Sequence, residues 1–279
     1  MATPCFYLNV AIRGYDADVF VNGAPIVRAS RGYPCIVLPP VSEWIVQGEN
    51  VLTVAVEGGD ALDPPGESEA GAAPPPADEP PRLRVALCRG ELGEFVEPGR
   101  ENELVVIDWT PPPPPGEGEE PLALPHEVRA AVDLSHPWGA WSWESAPAFD
   151  LWAEPETVVE VATFLADLHA ALERGQLDPL LDASRPKLEE VAPCYDMDPA
   201  AARQRLVAAW PEITKAPGFR LAPFDEADLE LRTCCGGRVL EPRSLAGEPV
   251  LRQAEALEGQ RWSLPLYLAR IDGKLAIVR

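Results

Sequence analysis

The sequence predicts two domains: an all-β sandwich, then an α+β domain with helices packed on a curved antiparallel sheet. Three observations carry that expectation. Apolar residues alternate with period two through most of residues 6–134, switch to three-to-four spacing from Glu156, and return to alternation towards Arg279. At 279 residues the chain also exceeds the ~250 at which single cores usually stop growing.

The first apolar run is Phe6 to Arg13, followed by Asp18 to Val27 with Asn22-Gly23 inside it. Asn-Gly between apolar runs is a hairpin signal, because a two-residue type I′ turn needs positive φ twice. Pro34 to Leu38 and Val41 to Val56 read as further strands, the second broken at Gly48-Glu49-Asn50. Residues 58–81 are rich in Gly, Pro, Ala and acid without apolar periodicity, as expected of a disordered loop. Strands resume at Arg82–Cys88 and Glu103–Trp109, a proline-rich loop spans 111–120, and the alternating run Glu127–Leu134 completes the sheet.

The order of strand, Val21-Asn22-Gly23 turn, strand, Trp44-Ile45-Val46-Gln47-Gly48-Glu49-Asn50, strand resembles the galactose-binding-like β-sandwich of glycosidase accessory domains. The resemblance covers about fifty residues and implies a jelly-roll-like sandwich over 1–145, with carbohydrate binding as its functional corollary.

A tryptophan-rich strip follows, with Trp138, Trp141 and Trp143, and a linker is assigned to 146–154. Read as a strand, the strip puts Trp141 and Trp143 on one face, suited to a sugar-stacking platform or to an interdomain seam, and its place before the change of period favours the seam. Val158, Val159, Ala162, Phe164, Leu165, Leu168 and Leu172 then form an amphipathic helix that Gly175 ends. A second short helix begins at Asp178, and Asp198-Pro199 supplies an N-cap and a first-turn proline for a third. Strands are expected at 219–224, 229–235 and 238–242, and Asp272-Gly273 closes a last hairpin.

Helices followed by a curved sheet and a closing hairpin resemble the NTF2-like superfamily over 155–279. Its SnoaL and ketosteroid isomerase-like members place an Asp with Tyr inside the cone, so the resemblance implies Tyr195, Asp228 and Tyr267 as pocket candidates. The superfamily also includes immunity proteins that neutralise bacterial toxins.

Composition narrows the function classes. A net charge of -22, from 45 acidic and 23 basic residues, repels nucleic-acid phosphate and anionic lipid and permits a basic protein partner. Six acids lie in 58–81 and three in 111–120, segments without Lys or Arg. The start at Met1 has no basic region followed by an apolar one, no apolar run approaches ~18 residues, and six Cys are few for the length, so a cytoplasmic protein with reduced thiols is expected. No G-x-S-x-G, G-x-G-x-x-G, phosphate-binding loop, H-E-x-x-H or EF-hand pattern occurs, and three scattered His give no metal spacing. His169 reads as a solvated helix residue. No cofactor, metal or catalytic residue is assigned.

The expected function is therefore noncatalytic binding of a protein, with an immunity protein against a cationic bacterial toxin as its sharpest form. Asp225, Glu226 and Asp228, clustered without a compensating cation, and Trp138, Trp141 and Trp143 are the partner-binding candidates. The alternative is an NTF2-like small-molecule binder or enzyme, or a carbohydrate-binding accessory protein.

Overall fold

Phe6, Leu8, Val10 and Ile12 are all buried, and this alternation organises the unit Met1–Pro137 of the computed structural model. Residues 3–59, 80–93, 100–113, 122–215, 219–256 and 261–279 are described. Most of 58–81 and residues 114–120 of the proline loop lie outside them, although Gly58 and Gly59 belong to a strand. Among the described residues the chain is a sheet-rich α+β protein with four antiparallel sheets and four α-helices, and a second unit is formed by Trp138–Arg279.

In the first unit β1 (Pro4–Arg13), β2 (Tyr15–Val21), β3 (Ala24–Ala29), β4 (Cys35–Val37), β5 (Gly48–Gly59), β6 (Arg82–Glu91), β7 (Glu103–Trp109) and β8 (His126–Leu134) form two sheets, ordered β4-β1-β6-β7 and β3-β2-β5-β8. β1 and β6 pair without interruption from Pro4↔Glu91 to Arg13↔Arg82. Leu83, Val85 and Leu87 are buried in β6, as are Leu52, Val54 and Val56 in β5. A one-residue slip would turn all of these to the opposite face, so burial fixes the register.

The Asn22-Gly23 hairpin is present, with φ 52° and 81° and Val21 paired to Ala24. Ser42–Trp44 is a short 3-10 turn where a strand was expected, and Gly48 and Asn50 begin β5 instead of breaking it. Side-chain hydrogen bonds explain the difference. Asn50 Oδ1 accepts from Asn22 Nδ2 at 2.8 Å and Val46 N at 2.9 Å, while its Nδ2 donates to Val46 O and Gly48 O, both at 2.9 Å. Asn22 also accepts from Val51 N and donates to Trp44 O. A buried amide with its bonds made specifies one loop path, and here it ties the Val-Asn-Gly turn to the Trp44–Asn50 segment.

In the second unit four helices precede the sheet, α1 (Glu156–Glu173), α2 (Asp178–Ala183), α3 (Arg185–Cys194) and α4 (Pro199–Thr214). Asp198 caps α4 as expected, accepting from Ala201 N at 2.9 Å. α1 turns Val161, Leu165, Leu168 and Leu172 to the core, which leaves Val158 and Val159 exposed, contrary to the periodicity reading. The buried set follows i, i+4, i+7, i+11, a narrower stripe than the sequence suggested. His169 is also buried: its Nε2 donates to Ala222 O at 2.7 Å, since a carbonyl can only accept.

Strands β9 (Leu229–Cys234), β10 (Val239–Ser244), β13 (Leu268–Ile271) and β14 (Lys274–Ile277) form a sheet ordered β14-β13-β10-β9, and β11 (Leu251–Arg252) pairs β12 (Ser263–Leu264). Asp272-Gly273 closes the last hairpin at φ 50° and 77°. Residues 219–224 contribute one isolated bridge, Leu221↔Gln253, in place of a strand. Leu168, Trp210, Leu266 and Leu268 are buried in the core between helices and sheet, with Phe164 packed against it.

Candidate partner-binding surface

From Ala130 to Glu173 the chain carries no Lys or Arg, and this stretch contains four of the eight tryptophans. Where a strand was expected, the strip forms a 3-10 turn, Ser142–Ser145, packed within the second unit. Glu144 N donates to Trp141 O at 3.0 Å while Trp141 N donates to Glu144 Oε1 at 2.6 Å, a reciprocal pair that closes the turn. Trp141 and Trp143 are buried, and Trp138 is half-buried and tilted against Trp141 at 6.1 Å.

Trp141 is held by a charged neighbour. The Arg279 guanidinium lies 4.5 Å from the ring centroid, in cation–π range, and Nη1 reaches Glu190 Oε2 at 3.3 Å. Glu190 Oε1 accepts from Ser142 N at 2.9 Å, so one α3 carboxylate joins the 3-10 turn to Arg279. Ala146 and Phe149 are buried, and Phe149 N donates to Gly237 O at 2.8 Å. Residues 146–149 are therefore part of the packing of this unit.

Trp152 reverses the pattern. It is 98% exposed, the most exposed of the large apolar side chains among the described residues. Its backbone is nevertheless fixed: Asp150 Oδ1 accepts from Trp152 N at 3.2 Å and Ala153 N at 3.0 Å, and Asp150 O accepts from Glu154 N at 2.8 Å. This is the Asx arrangement, in which a short carboxylate replaces backbone partners. Buried Phe149 and core-packed Leu151 anchor the turn on its N-terminal side, and buried Thr157 does so on the other. Asp150, Glu154, Glu156 and Glu160 are all exposed, and of these Glu160 is paired to Arg270 at 2.8 Å. The result is an aromatic side chain projected from a rigid turn among acids. No periodic pattern reports such a residue; the available signal was a Trp between a capping Asp and Glu154-Pro155, outside any apolar repeat.

Asp225 and Glu226 are exposed and Asp228 is half-buried. Their local bonds are made: Asp225 Oδ1 accepts from Ala227 N at 2.9 Å, capping a 3-10 turn, and Asp228 Oδ1 accepts from Leu245 N at 3.2 Å. Phe224, Asp225, Asp228, Ser244 and Arg252 line a depression with space on the scale of one water molecule, far below the ~300 Å³ at which metabolite pockets begin.

The three pocket candidates stand at the ends of three different elements. Asp228 precedes the first residue of β9, whereas Tyr267 falls level with Glu241 and Arg232, four residues further along and about 13 Å at strand rise. Tyr195 follows the last residue of α3. Tyr267 is raised by burial, and Cys234 is raised by its hydrogen bond with Cys235 and by burial. Burial pushes Cys88 up to about 11 and Tyr7 up to about 12, and it also raises Cys5 and Cys35. Nucleophilic cysteines need the opposite shift, so these four thiols, Cys5, Cys35, Cys88 and Cys234, are poor thiolate sources at neutral pH. Among the described residues no three His, Cys, Asp or Glu side chains are grouped to hold a metal, and no helix is long and apolar enough to cross a membrane. Comparisons with family models, curated proteins and solved structures return no match.

Proposed function

We propose that this chain is a noncatalytic, cytoplasmic binding protein for a cationic protein partner, docked at the Trp152 turn. The observation that carries the reading is a tryptophan 98% exposed on a hydrogen-bonded turn whose neighbours include exposed acids. Exposing an indole forgoes the ~2–3 kcal/mol that burying a large apolar side chain provides. Tryptophan is also among the residues that most often dominate binding energy, and acids around it accelerate encounter with a basic surface. Read with the resemblances, the first unit is a galactose-binding-like, jelly-roll-like sandwich and the second an NTF2-like cone. Neutralisation of a basic bacterial toxin by an immunity protein is the sharpest form of the proposal.

The test is capture from native-host extract by immobilised full-length chain, run beside Trp152→Ala and Glu154→Lys/Glu156→Lys. The expected result is a basic protein retained by the parent and lost, at least tenfold, by both variants with an unchanged thermal midpoint. Retention of the same protein by both variants, or capture of acidic proteins alone, overturns the reading.

A further inference from the structure

The four outer strands of the first unit are finished differently. β8 alternates exposed Glu127, Arg129 and Asp133 with half-buried residues, β7 carries Glu103 and Asp108, and β3 carries Arg28. Charges of this kind block edge-to-edge pairing. β4 has none, and no charged residue occurs from Gly32 to Ser42. Instead Tyr33 is 81% exposed, Ile36 69%, Leu38 47% and Val37 41%.

The direction of the free backbone groups follows from the register. Leu8 N donates to Pro39 O at 2.9 Å, and Val10↔Val37 and Ile12↔Cys35 continue that phase. In an antiparallel ladder the intervening residues turn their N–H and C=O away, so Ile36 and Leu38 present theirs to the side of β4 on which no strand lies among the described residues. Pro34 and Pro40 occupy the next outward positions and have no N–H to offer.

We infer that this edge pairs with the same edge of a second copy of the chain, antiparallel, with Val37 opposite the partner's Val37 on a twofold axis. An isologous contact requires a segment that complements itself. Pro34-Cys35-Ile36-Val37-Leu38-Pro39-Pro40 meets that requirement about its centre. Ile36 falls opposite the partner's Leu38, forming two hydrogen-bonded pairs, and Pro34 falls opposite the partner's Pro40. The prolines halt pairing after these residues, so the contact closes as a dimer and does not extend along the edge. Charge selects the occupant: a chain of net charge -22 repels its copies least where eleven consecutive residues are neutral, and a cationic partner finds no acid there.

A contact this short buries less than the ~1,000 Å² of a stable interface, so association is expected at roughly tens of micromolar or above. Sedimentation velocity of the full chain from about 1 μM to about 500 μM should therefore show the 30.2 kDa monomer giving way to a dimer. Leu38→Pro removes an outward N–H without touching the β1 ladder, and Ile36→Lys places a charge on the edge; each should weaken association at least tenfold with unchanged circular dichroism. In a Cys35→Ser background, Val37→Cys should oxidise to a dimer linked through residue 37, because opposed non-hydrogen-bonded residues lie ~4.5 Å apart at Cα. A parent that stays monomeric throughout, or a dimer that survives both edge variants, overturns the inference. So does a monomer whose Ile36 and Leu38 amides gain exchange protection only with a synthetic Val/Thr-alternating peptide, which would assign the edge to a foreign strand.

Discussion

Two turns, with their tryptophans eleven residues apart, use the same device to opposite ends. At Trp141 a carboxylate three residues on, Glu144, accepts from the tryptophan's own N–H; at Trp152 a carboxylate two residues back, Asp150, does the same. Both backbones are thereby fixed. Yet Trp141 is 3% exposed and Trp152 98%. The difference lies in what stands behind each ring: Trp141 has the Arg279 guanidinium over its face, and Arg279 is itself held by Glu190, whereas Trp152 projects from a stretch of exposed residues running from Trp152 to Glu156. A capping carboxylate sets where a backbone goes, and the tertiary neighbourhood decides whether the side chain is core or contact.

Truncating the rings tests that separation most severely. Trp143→Ala and Trp141→Ala should each cost ~3–5 kcal/mol, as for a buried Trp in a packed core, while Trp152→Ala should stay within about 0.5 kcal/mol. Urea unfolding followed by far-UV circular dichroism reads all three. Equal costs at Trp141 and Trp152 would erase the contrast.

Arg279→Ala comes next. It uncovers Trp141 and leaves the Glu190 carboxylate with the Ser142 N–H as its remaining protein partner in this network. Glu190 keeps 21% of its side-chain surface in solvent, so the cost should be about 2–3 kcal/mol, below the ~3–5 of a fully buried pair. The same substitution should move Trp141 emission to the red. A blue shift would mean that the ring buries itself further, and that Arg279 holds it open.

How much of this was legible in the chain depends on whether the cause was local. Asn22-Gly23 and Asp272-Gly273 were readable because positive φ is a property of the turn itself, and Asp198 because a cap acts on the next three residues. The alternation of β8 was readable because one face meets solvent along its whole length. Local pattern alone puts Trp141 and Trp143 on a strand and Val158 and Val159 in the core, because the deciding contacts come from Arg279, far along the chain, and from the rotation of α1 against the sheet. The burial of His169 is hidden for the same reason, its partner being the Ala222 carbonyl 53 residues away. Asp225, Glu226 and Asp228 are legible as a cluster, but the backbone bonds that Asp225 and Asp228 accept are not, and Trp152 belongs to no pattern at all.

The two carboxylate pins should have similar, smaller effects. Glu144→Ala and Asp150→Ala each remove a side-chain acceptor from backbone donors, a loss of ~1 kcal/mol as at a helix cap. Their consequences should nonetheless diverge. Glu144→Ala loosens a turn already clamped by Trp141, Trp143 and the Arg238 guanidinium on Glu144 O, so its amides should remain protected from exchange. Asp150→Ala releases the Trp152 and Ala153 amides, which should exchange markedly faster in hydrogen–deuterium measurements. Equal exchange in the two variants would show that the Trp152 turn is held by its flanking anchors and not by Asp150.

The smallest stability effect belongs to the exposed acids, and it separates the two candidate surfaces. Glu154→Lys with Glu156→Lys should change stability by less than about 0.5 kcal/mol, because solvent-exposed charges contribute little singly. Asp225→Lys with Glu226→Lys should cost slightly more, since Asp225 caps its own turn through Ala227 N. Against a cationic partner, association slows with rising salt over a Debye length of ~8–10 Å, and the slowing should be blunted by reversal at the Trp152 turn. Reversal at Asp225 and Glu226 should leave the salt dependence close to that of the parent, because no exposed aromatic side chain accompanies those acids among the described residues. A stopped-flow series in which the second reversal blunts the dependence and the first does not would move the docking surface from the Trp152 turn to the Asp225 corner.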